Sequence, residues 1–315
     1  MTFFIHLILY FYNMKEQLTF YFKILKQIIL ELGEDRIMKK SASLTYYTIF
    51  SLSPLVLILI SGASLFFKKD AIENHLYYEL KNIVGSEVAL AVQNFVENSA
   101  VSGDSSFALY IGIGILLFGA TTMFTDMQDS LNLIFRVELV TKQAWLGFLI
   151  QRGLSFVTIV ALGLVLLATV ILNSVLVAFG EELFNFLHLY DKTFTSSTIL
   201  LLNNILIIIV SIIIFYIFFK ILPDANVPRK AALSGAIFTA VLFFIAKNII
   251  AIYITNSRYS AIFGSAGSLV VLLLWIYYVV TIIFIGAKFT KVYSELKGDK
   301  IVPAKNAKRR KILYE

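Results

Sequence analysis

The fold is decided by the stretch from Pro223 to Lys288, which opens with a short basic turn, Pro223-Asp224-Ala225-Asn226-Val227-Pro228-Arg229-Lys230. An apolar run follows at 231–254, and Lys247 is its only charged residue. A second apolar run, 268–287, comes after a hinge with the sequence Arg258-Tyr259-Ser260-Ala261-Ile262-Phe263-Gly264-Ser265-Ala266-Gly267. A helix of about 20 apolar residues crosses the hydrocarbon core of a bilayer. The stretch therefore predicts two membrane-spanning helices with one lysine inside.

The composition of the whole chain agrees with a membrane protein. Of the 315 residues, 59% are hydrophobic and 15% are charged, and the mean hydropathy is +0.83. A soluble domain carries about 25% charged residues. The chain has no cysteine and only three histidines, so disulfides, thiolate nucleophiles and Cys-ligated zinc are excluded. We therefore expect no metal and no cofactor.

Six runs are long and apolar enough to cross a bilayer. Every backbone group inside lipid must be hydrogen-bonded within the protein, so each run is predicted to be a helix. The fold class is thus all-α, a polytopic membrane protein of six transmembrane helices. The predicted spans are 43–67, 107–124, 154–179, 199–219, 231–254 and 266–287.

Three segments lie outside these spans. Residues 1–43 form an N-terminal segment in which 14–40 has the apolar spacing of an amphipathic, interfacial helix. The apolar residues 2–12 are too short to span, and a start at Met14 is the alternative to an interfacial extension. Residues 68–106 form an extracytoplasmic helical cap between spans one and two, with a lid or a simple packed cover as its two interpretations. The transmembrane domain covers 44–291, and 292–315 is a basic cytoplasmic tail.

The positive charges predict the orientation. In the six-span arrangement, 21 of the 27 lysines and arginines fall on one side. The positive-inside rule places that side, with both termini, in the cytoplasm. The basic cluster at Lys305 and 308–311 is interpreted as a contact for anionic lipid headgroups and not for nucleic acid.

Six short segments follow one another in the chain: Ser41–Tyr47 with Ser51–Leu55, Asp129–Val137, Leu222–Asp224 with Val227-Pro228, Lys247 with Tyr253, Phe263–Gly267, and Leu274–Tyr277 with Gly286-Ala287. In this order they resemble the YihY/BrkB family of bacterial inner-membrane proteins, from about Met14 to Leu296. The resemblance implies a six-helix fold with both termini inside, and loosely a role in transport or envelope-lipid handling. Members were once labelled a ribonuclease, a label regarded as misassigned.

Lys247 is the first candidate for a functional residue. A charge inside a span costs about 2.5–3.5 kcal/mol and usually faces the bundle interior or a water-filled cavity. One interpretation pairs Lys247 with an anionic lipid or small-molecule substrate, or with Glu181 or Glu182. The other is a lysine that extends its amine to the membrane surface while its stem packs on Phe243 or Phe244.

Other polar, glycine and aromatic residues at membrane depth are candidates for a substrate path. Pro54 should kink the first span, and the asparagines either hydrogen-bond between helices or face the path. The glycines permit either close packing or an unwound backbone. This group contains Pro54, Asn173, Asn248, Tyr253, Gly264, Gly267 and Trp275.

A polar group is also predicted at the cytoplasmic end of span two, where Asp126, Asp129, Asn132 and Arg136 follow one another. These residues form either a gate-like charge cluster or solvated ion pairs of little energy. No nucleophile–base set is present, so an enzyme is not expected. The hypotheses are a transporter or lipid flippase, a non-catalytic envelope scaffold and, remotely, a membrane-bound ribonuclease. The sequence leaves the oligomeric state open.

Overall fold

The computed structural model describes residues 19–31, 33, 35–49, 78, 81, 86, 88–91, 93, 122–140, 192–256, 267–305 and 307–310. The side chains of 192–200, 202–203, 251, 253–256 and 268 are outside this description. Residues 78, 81, 86, 88–91 and 93 are helical. The longer described elements are six helices and four short strands. They are α1 (19–31), α2 (37–49), α3 (122–134), β1 (Val137–Leu139), α4 (Lys192–Lys220), β2 (Ala225–Asn226), α5 (Arg229–Asn256), α6 (Gly267–Lys297), β3 (Val302–Pro303) and β4 (Ala307–Arg309).

The three long helices α4, α5 and α6 correspond to the last three predicted spans. Two described segments, Arg229–Ile250 and Leu269–Lys297, are long and apolar enough to cross a membrane, and Asn204–Lys220 is a shorter apolar helix. The mostly helical fold is therefore confirmed. Most of spans one and two, all of span three and most of the cap lie outside the described residues. The six-span count and the cap therefore remain predictions.

The outer faces of α4 and α5 are apolar and exposed. On α5 the exposed residues recur every four positions, at Leu233, Ile237, Val241, Ile245 and Ile249. The corresponding residues on α4 are Leu201, Ile205, Ile209 and Ile213. Such long apolar stripes are rare on soluble monomers. Their spacing matches one face of each helix turned towards hydrocarbon.

Helices α5 and α6 cross at two reciprocal glycine–threonine contacts. A Cβ added to Gly235 would lie 1.8 Å from Thr290 Oγ1, and one added to Gly286 would lie 1.8 Å from Thr239 Oγ1. Each threonine donates its hydroxyl to its own helix, Thr239 to the Gly235 carbonyl at 2.7 Å and Thr290 to the Gly286 carbonyl at 2.9 Å. Small residues of this kind allow close approach of membrane helices. The sequence analysis did not assign this role to either glycine.

Lys220, Arg229 and Lys297 mark one end of the bundle, which we call the basic side. There α1 packs its buried Ile24 and Ile28 on Phe289 and Val292 of α6. Its opposite face keeps other apolar side chains exposed, with Phe22 at 70% and Ile29 at 68%. This two-sided apolar character fits the predicted interfacial helix.

The four strands join the C-terminal segment to the two connections of the basic side. Strand β4 pairs antiparallel with β1, with Arg309 opposite Val137, and β3 pairs antiparallel with β2, with Val302 opposite Asn226. The Arg310 amide donates to the Arg136 carbonyl and the Ala304 amide to the Asp224 carbonyl, both at 3.0 Å. The basic C-terminal segment is thus partly folded onto the protein, which the sequence did not predict.

Candidate functional site

An apolar cavity of about 330 Å³ lies between α2, α3, α4, α5 and α6. Its residues come from one face of each helix. The lining residues are Leu44, Thr48, Met123, Met127, Ile207, Val210, Ser211, Ile214, Phe215, Phe218, Phe243, Trp275, Ile276, Val279, Val280 and Ile283. The volume is at the lower end of the range of ligand pockets, about 300–1,000 Å³.

The lining contains two hydroxyl groups, and both are already bonded inside the protein. Thr48 donates its hydroxyl to the Leu44 carbonyl and Ser211 donates its hydroxyl to the Ile207 carbonyl, each at 2.7 Å. These bonds leave the wall apolar towards an occupant. A polar ligand group buried there would lose its hydration without an equivalent partner.

Three aromatic rings form one wall of the cavity. Phe243 of α5 contacts Phe215 of α4 and Trp275 of α6 edge-to-face, with ring centroids 6.0 and 5.9 Å apart. Such contacts add about 0.5–1.5 kcal/mol to the burial of the rings. The structure thus places Trp275, a predicted path residue, in the wall of the cavity, where it is 6% exposed.

A polar layer adjoins the cavity on the basic side. Lys40 precedes Leu44 by one helical turn, Ser130 follows Met127 by one turn, and Lys40 Nζ donates to Ser130 Oγ at 3.4 Å. Beside them, Ser43 donates its hydroxyl to Asp126 Oδ2 at 3.3 Å. Lys40 and Ser130 therefore lie one turn beyond the apolar lining of α2 and α3, whereas Asp126 lies beside the lining, between Met123 and Met127 in the chain.

Asn132 connects this layer to the turn between α4 and α5. Its Nδ2 donates to Asp224 Oδ2 at 2.7 Å, and its Oδ1 accepts the backbone amide of Asp224 at 2.8 Å. Gln128 Nε2 donates to the same carboxylate oxygen at 3.1 Å. Two of the segments that carry the family resemblance thus contact each other. We call Asp126, Asp129, Asp224, Gln128 and Asn132 the carboxylate–amide cluster.

Negative charge exceeds positive charge in this cluster. Loss of hydration raises the pKa of Asp126, and the charge of Lys40 and the Ser43 hydroxyl only partly offset it. For Asp129, at the exposed edge of the cluster, partial loss of hydration comes first, and the charges of Asp126 and Asp224 raise the pKa further. Burial also raises the pKa of Asp224, although the hydrogen bonds from Asn132 and Gln128 act to lower it. Among the described residues, Lys40 is the one lysine whose charge lowers the pKa of Asp126 and Asp129, and it does not balance the three carboxyl groups.

A second cluster, the buried ion cluster, lies between α1, α6 and the start of β1. Lys288 Nζ is fully buried and contacts Asp35 Oδ2 at 2.6 Å and Glu31. Arg136 lies 3.1 Å from the other Asp35 oxygen, and Lys291 lies 3.5 Å from Glu31. Burial alone would raise the pKa of Glu31, but the hydrogen bonds from Lys288 and Gln27 and the lysine charges lower it to about 2.

The backbone around this cluster is strained at two positions. Arg36, directly after Asp35, has φ +50°, and Arg136 has φ +59°. Non-glycine residues rarely adopt this left-handed conformation. The surrounding structure must therefore hold both residues, and the buried ion pairs of Asp35 and Arg136 supply part of that restraint.

The structure brings together only some of the residues predicted to form sites. Asp126, Asp129 and Asn132 share the carboxylate–amide cluster, whereas Arg136 reaches the buried ion cluster. Gly267 is buried at the first position of α6. Pro54, Asn173, Gly264 and the side chain of Tyr253 lie outside the described residues.

Lys247 and Asn248 occupy different faces of α5. Lys247 is half-buried and lies one turn beyond Phe243, on the same helix face and away from the basic side. Asn248 is exposed, and its Nδ2 donates to the Phe244 carbonyl of its own helix at 2.8 Å. Lys247 therefore lies one turn beyond the part of α5 that lines the cavity, and neither residue is part of the wall.

The sequence analysis did not assign a role to Glu31, Asp35 or Lys288. The only sequence feature that pointed to a role for Lys288 was its position directly after a long apolar run. That position is equally typical of the end of a membrane span. Within the part of the chain that the structure describes, no group of three His, Asp or Glu side chains is arranged to hold a metal ion.

A protein-family model described as "Virulence factor BrkB" matches residues 28–311. The chain belongs to this family. The family resemblance inferred from the sequence is thus confirmed, and it covers α2, α3, the long helices and both short sheets. No solved structure matches the chain.

Curated relatives of this BrkB-family chain are membrane proteins by name. The "UPF0761 membrane protein" of Saccharophagus degradans is 26% identical over 269 residues, which are 84% of this chain and 58% of that protein. The Acinetobacter baylyi relative is 26% identical over 306 residues (92% and 67%), and the one from Aeromonas salmonicida 28% over 273 residues (83% and 85%). This chain therefore spans less than two thirds of the first relative. It is a membrane protein.

Proposed function

We propose that the protein is a transporter or lipid flippase of the bacterial inner membrane, with its basic side and both termini in the cytoplasm. The observation that carries this proposal is the apolar cavity that ends at a polar, acidic layer on the basic side. A lipid has the same arrangement, because its apolar acyl chain is attached to a polar headgroup. A transporter for lipids needs both surfaces side by side.

The position of Lys247 supports the same proposal. It follows the cavity wall on the side opposite the polar layer, so charged groups lie beyond both ends of the apolar lining. A charge at membrane depth is costly and usually serves an ion or substrate pathway. An anionic group that passes the cavity would meet Lys247 on the far side.

Reconstituted vesicles test the proposal. Fluorescent phospholipid is placed in both leaflets, and dithionite, which does not cross the bilayer, is added outside. We expect the inner-leaflet label to be bleached faster with the protein than in protein-free vesicles. Lys247→Met should slow this exchange, whereas the exposed Lys300→Met should not. Equal bleaching with and without protein would contradict lipid translocation.

A non-catalytic envelope scaffold is the second candidate, and the buried ion cluster favours it. That cluster, the close crossing of α5 and α6 and the two short sheets hold the basic side in one arrangement. In a scaffold, Lys247→Met would leave vesicle exchange and the growth phenotype of a complemented deletion strain unchanged. Profiling lipids and metabolites of that deletion strain distinguishes the two candidates, because only a transporter shifts a substrate.

We also propose that the exposed basic residues of the C-terminal segment contact anionic headgroups and not nucleic acid. Lys305, Lys308, Arg309 and Arg310 are exposed, and Lys308 also lies 3.2 Å from Glu138. Each such residue near a membrane surface contributes about 1 kcal/mol. Replacing all four with Gln should lower the amount of anionic lipid that copurifies with the protein. Unchanged lipid content would contradict this contact.

A further inference from the structure

We infer that the cavity binds one acyl chain of a phospholipid whose headgroup carries an amine, with the ammonium group at Asp126 and Asp129 and the phosphate at Lys40. This inference names the substrate class of the proposed transporter and so rests on the proposed function. The binding site itself can be tested without transport.

The dimensions of the cavity fit a single chain. On α4 the lining runs from Ile207 to Phe218, and on α6 from Trp275 to Ile283. At 1.5 Å per helical residue these stretches are about 12–17 Å long. Dividing the volume of about 330 Å³ by this length leaves a cross-section of roughly 20–30 Å². That cross-section is wide enough for one extended hydrocarbon chain.

The chemistry of the wall selects hydrocarbon. The hydroxyl groups of Thr48 and Ser211 donate to helix carbonyls, so neither has a proton left to donate to a sugar or an amino acid. The apolar stripes on α4 and α5 place the cavity at the depth of the acyl chains. Lipid chains therefore surround the cavity at high local concentration.

The polar layer selects the headgroup. Lys40 lies one turn before the lining residue Leu44 on α2 and donates to Ser130, while Asp126 accepts a hydrogen bond from Ser43. The layer thus offers one cation flanked by carboxylates. A zwitterionic headgroup with adjacent phosphate and ammonium groups matches both charges. A headgroup that carries only a phosphate charge would leave the carboxylates without a partner and would add to their repulsion.

The single tryptophan in the cavity wall provides the measurement. The chain has two tryptophans, so Trp145→Phe leaves Trp275 as the only one. The full-length variant is reconstituted in vesicles of unlabelled lipid that contain a small fraction of phosphatidylethanolamine or phosphatidylglycerol with brominated acyl chains. Bromine quenches tryptophan only at short range, so the quenching reports which lipid occupies the cavity.

We expect brominated phosphatidylethanolamine to quench Trp275 at about fivefold lower mole fraction than brominated phosphatidylglycerol, as one unit of charge at the headgroup implies. Ser211→Phe, which fills the cavity, should remove most of this quenching. Ile213→Phe on the lipid-facing side of the same helix, where Ile213 is 44% exposed, is the matched control and should leave it unchanged. Asp126→Asn should reduce the preference between the two lipids.

Three results would overturn the inference: equal quenching by both lipids, quenching that rises linearly with mole fraction as for bulk lipid, or full quenching in a folded Ser211→Phe variant. If that variant does not fold, Ser211→Leu and native mass spectrometry of bound lipid replace it. If the quenching is as expected but the vesicles show no lipid exchange, the lipid site is supported and lipid transport is refuted. Lipid exchange without selective quenching would refute the site alone.

Discussion

Lys288→Met should be one of the most destabilising single substitutions in the protein. Lys288 and Asp35 are both fully buried, with Nζ and Oδ2 2.6 Å apart, and Lys288 also contacts Glu31. At an effective dielectric constant of about 20, opposite charges at this distance attract by about 6 kcal/mol, which the loss of hydration partly offsets. Removing one partner of a buried pair typically costs about 3–5 kcal/mol.

The remaining contacts place the expected loss near the lower end of this range. After the substitution Arg136 still lies beside Asp35, and Lys291 beside Glu31. We therefore expect the free energy of unfolding to fall by about 3 kcal/mol. The double variant Asp35→Asn/Lys288→Met should lose less free energy of unfolding than the two single variants together. Each single substitution leaves the other residue's charge buried without its partner, and the double variant removes both charges.

Unfolding of the purified protein in mild detergent measures these differences. The exposed Lys300→Met serves as the control and should change the free energy of unfolding by less than about 0.5 kcal/mol. A Lys288→Met variant as stable as that control would refute the reasoning. So would strictly additive effects of Asp35→Asn and Lys288→Met, since additivity means that the two side chains do not interact.

Three further predictions follow from the packing and the polar clusters. Gly235→Ala should destabilise the protein by about 1–3 kcal/mol, because the new Cβ would meet Thr290 Oγ1 at 1.8 Å; Thr290→Ala in the same chain should recover part of the loss, and thermal unfolding that shows no recovery would contradict the contact. Asn132→Ala removes two hydrogen bonds to Asp224 and should cost about 1–3 kcal/mol, measured in the same way, with wild-type stability as the contrary result. The folded pKa of Glu31, about 2, is below its ordinary value of 4.5, so its contribution is complete above about pH 4.5 and is lost as the pH falls towards 2. Glu31→Gln should flatten the dependence of the melting temperature on pH in that window, and an unchanged profile would show that other groups cause it.

The long helices could be predicted because their signal is local. A run of about 20 apolar residues specifies a spanning helix wherever it lies in the chain. The predicted spans 199–219, 231–254 and 266–287 match α4, α5 and α6 within a few residues, apart from the start of α4, seven residues earlier at Lys192, and the end of α6 at Lys297. That helix continues for ten residues beyond the prediction because Lys288 and Lys291, which read as the start of a tail, are buried against α1 and the turn after it.

The strands and the buried ion cluster could not be predicted, because they depend on partners far away in the chain. Strand β4 pairs with a segment about 170 residues earlier, and both strands are three residues long. Lys288 and Asp35 are separated by 253 positions. Nothing near either residue distinguishes a buried ion pair from two solvated charges. Only the fold brings them together.

The candidate site was predicted in part for the same reason. The sequence indicated Trp275, Lys247 and the acidic residues after span two, since aromatic and charged residues at membrane depth are conspicuous. It did not indicate that Leu44, Met127 and Phe215, ordinary apolar residues, enclose a cavity. A cavity is a property of how the helices pack, and no spacing in the sequence records it.

The two polar clusters differ in a way that bears on function. In the buried ion cluster Lys288 and Asp35 carry opposite charges and lie at ion-pair distance. Because their charges neutralise each other, this pair can hold the helices together without a ligand. In the carboxylate–amide cluster Asp224 is satisfied by the amides of Asn132 and Gln128, whereas Asp126 and Asp129 share Lys40. Burial raises the pKa of both residues, and the charges of Asp126 and Asp224 raise the pKa of Asp129 further. An excess of like charge destabilises the folded protein unless something positive binds there. Because that excess adjoins the apolar cavity, we expect substitutions at Asp126 to affect lipid binding more than stability, and substitutions at Lys288 to do the reverse.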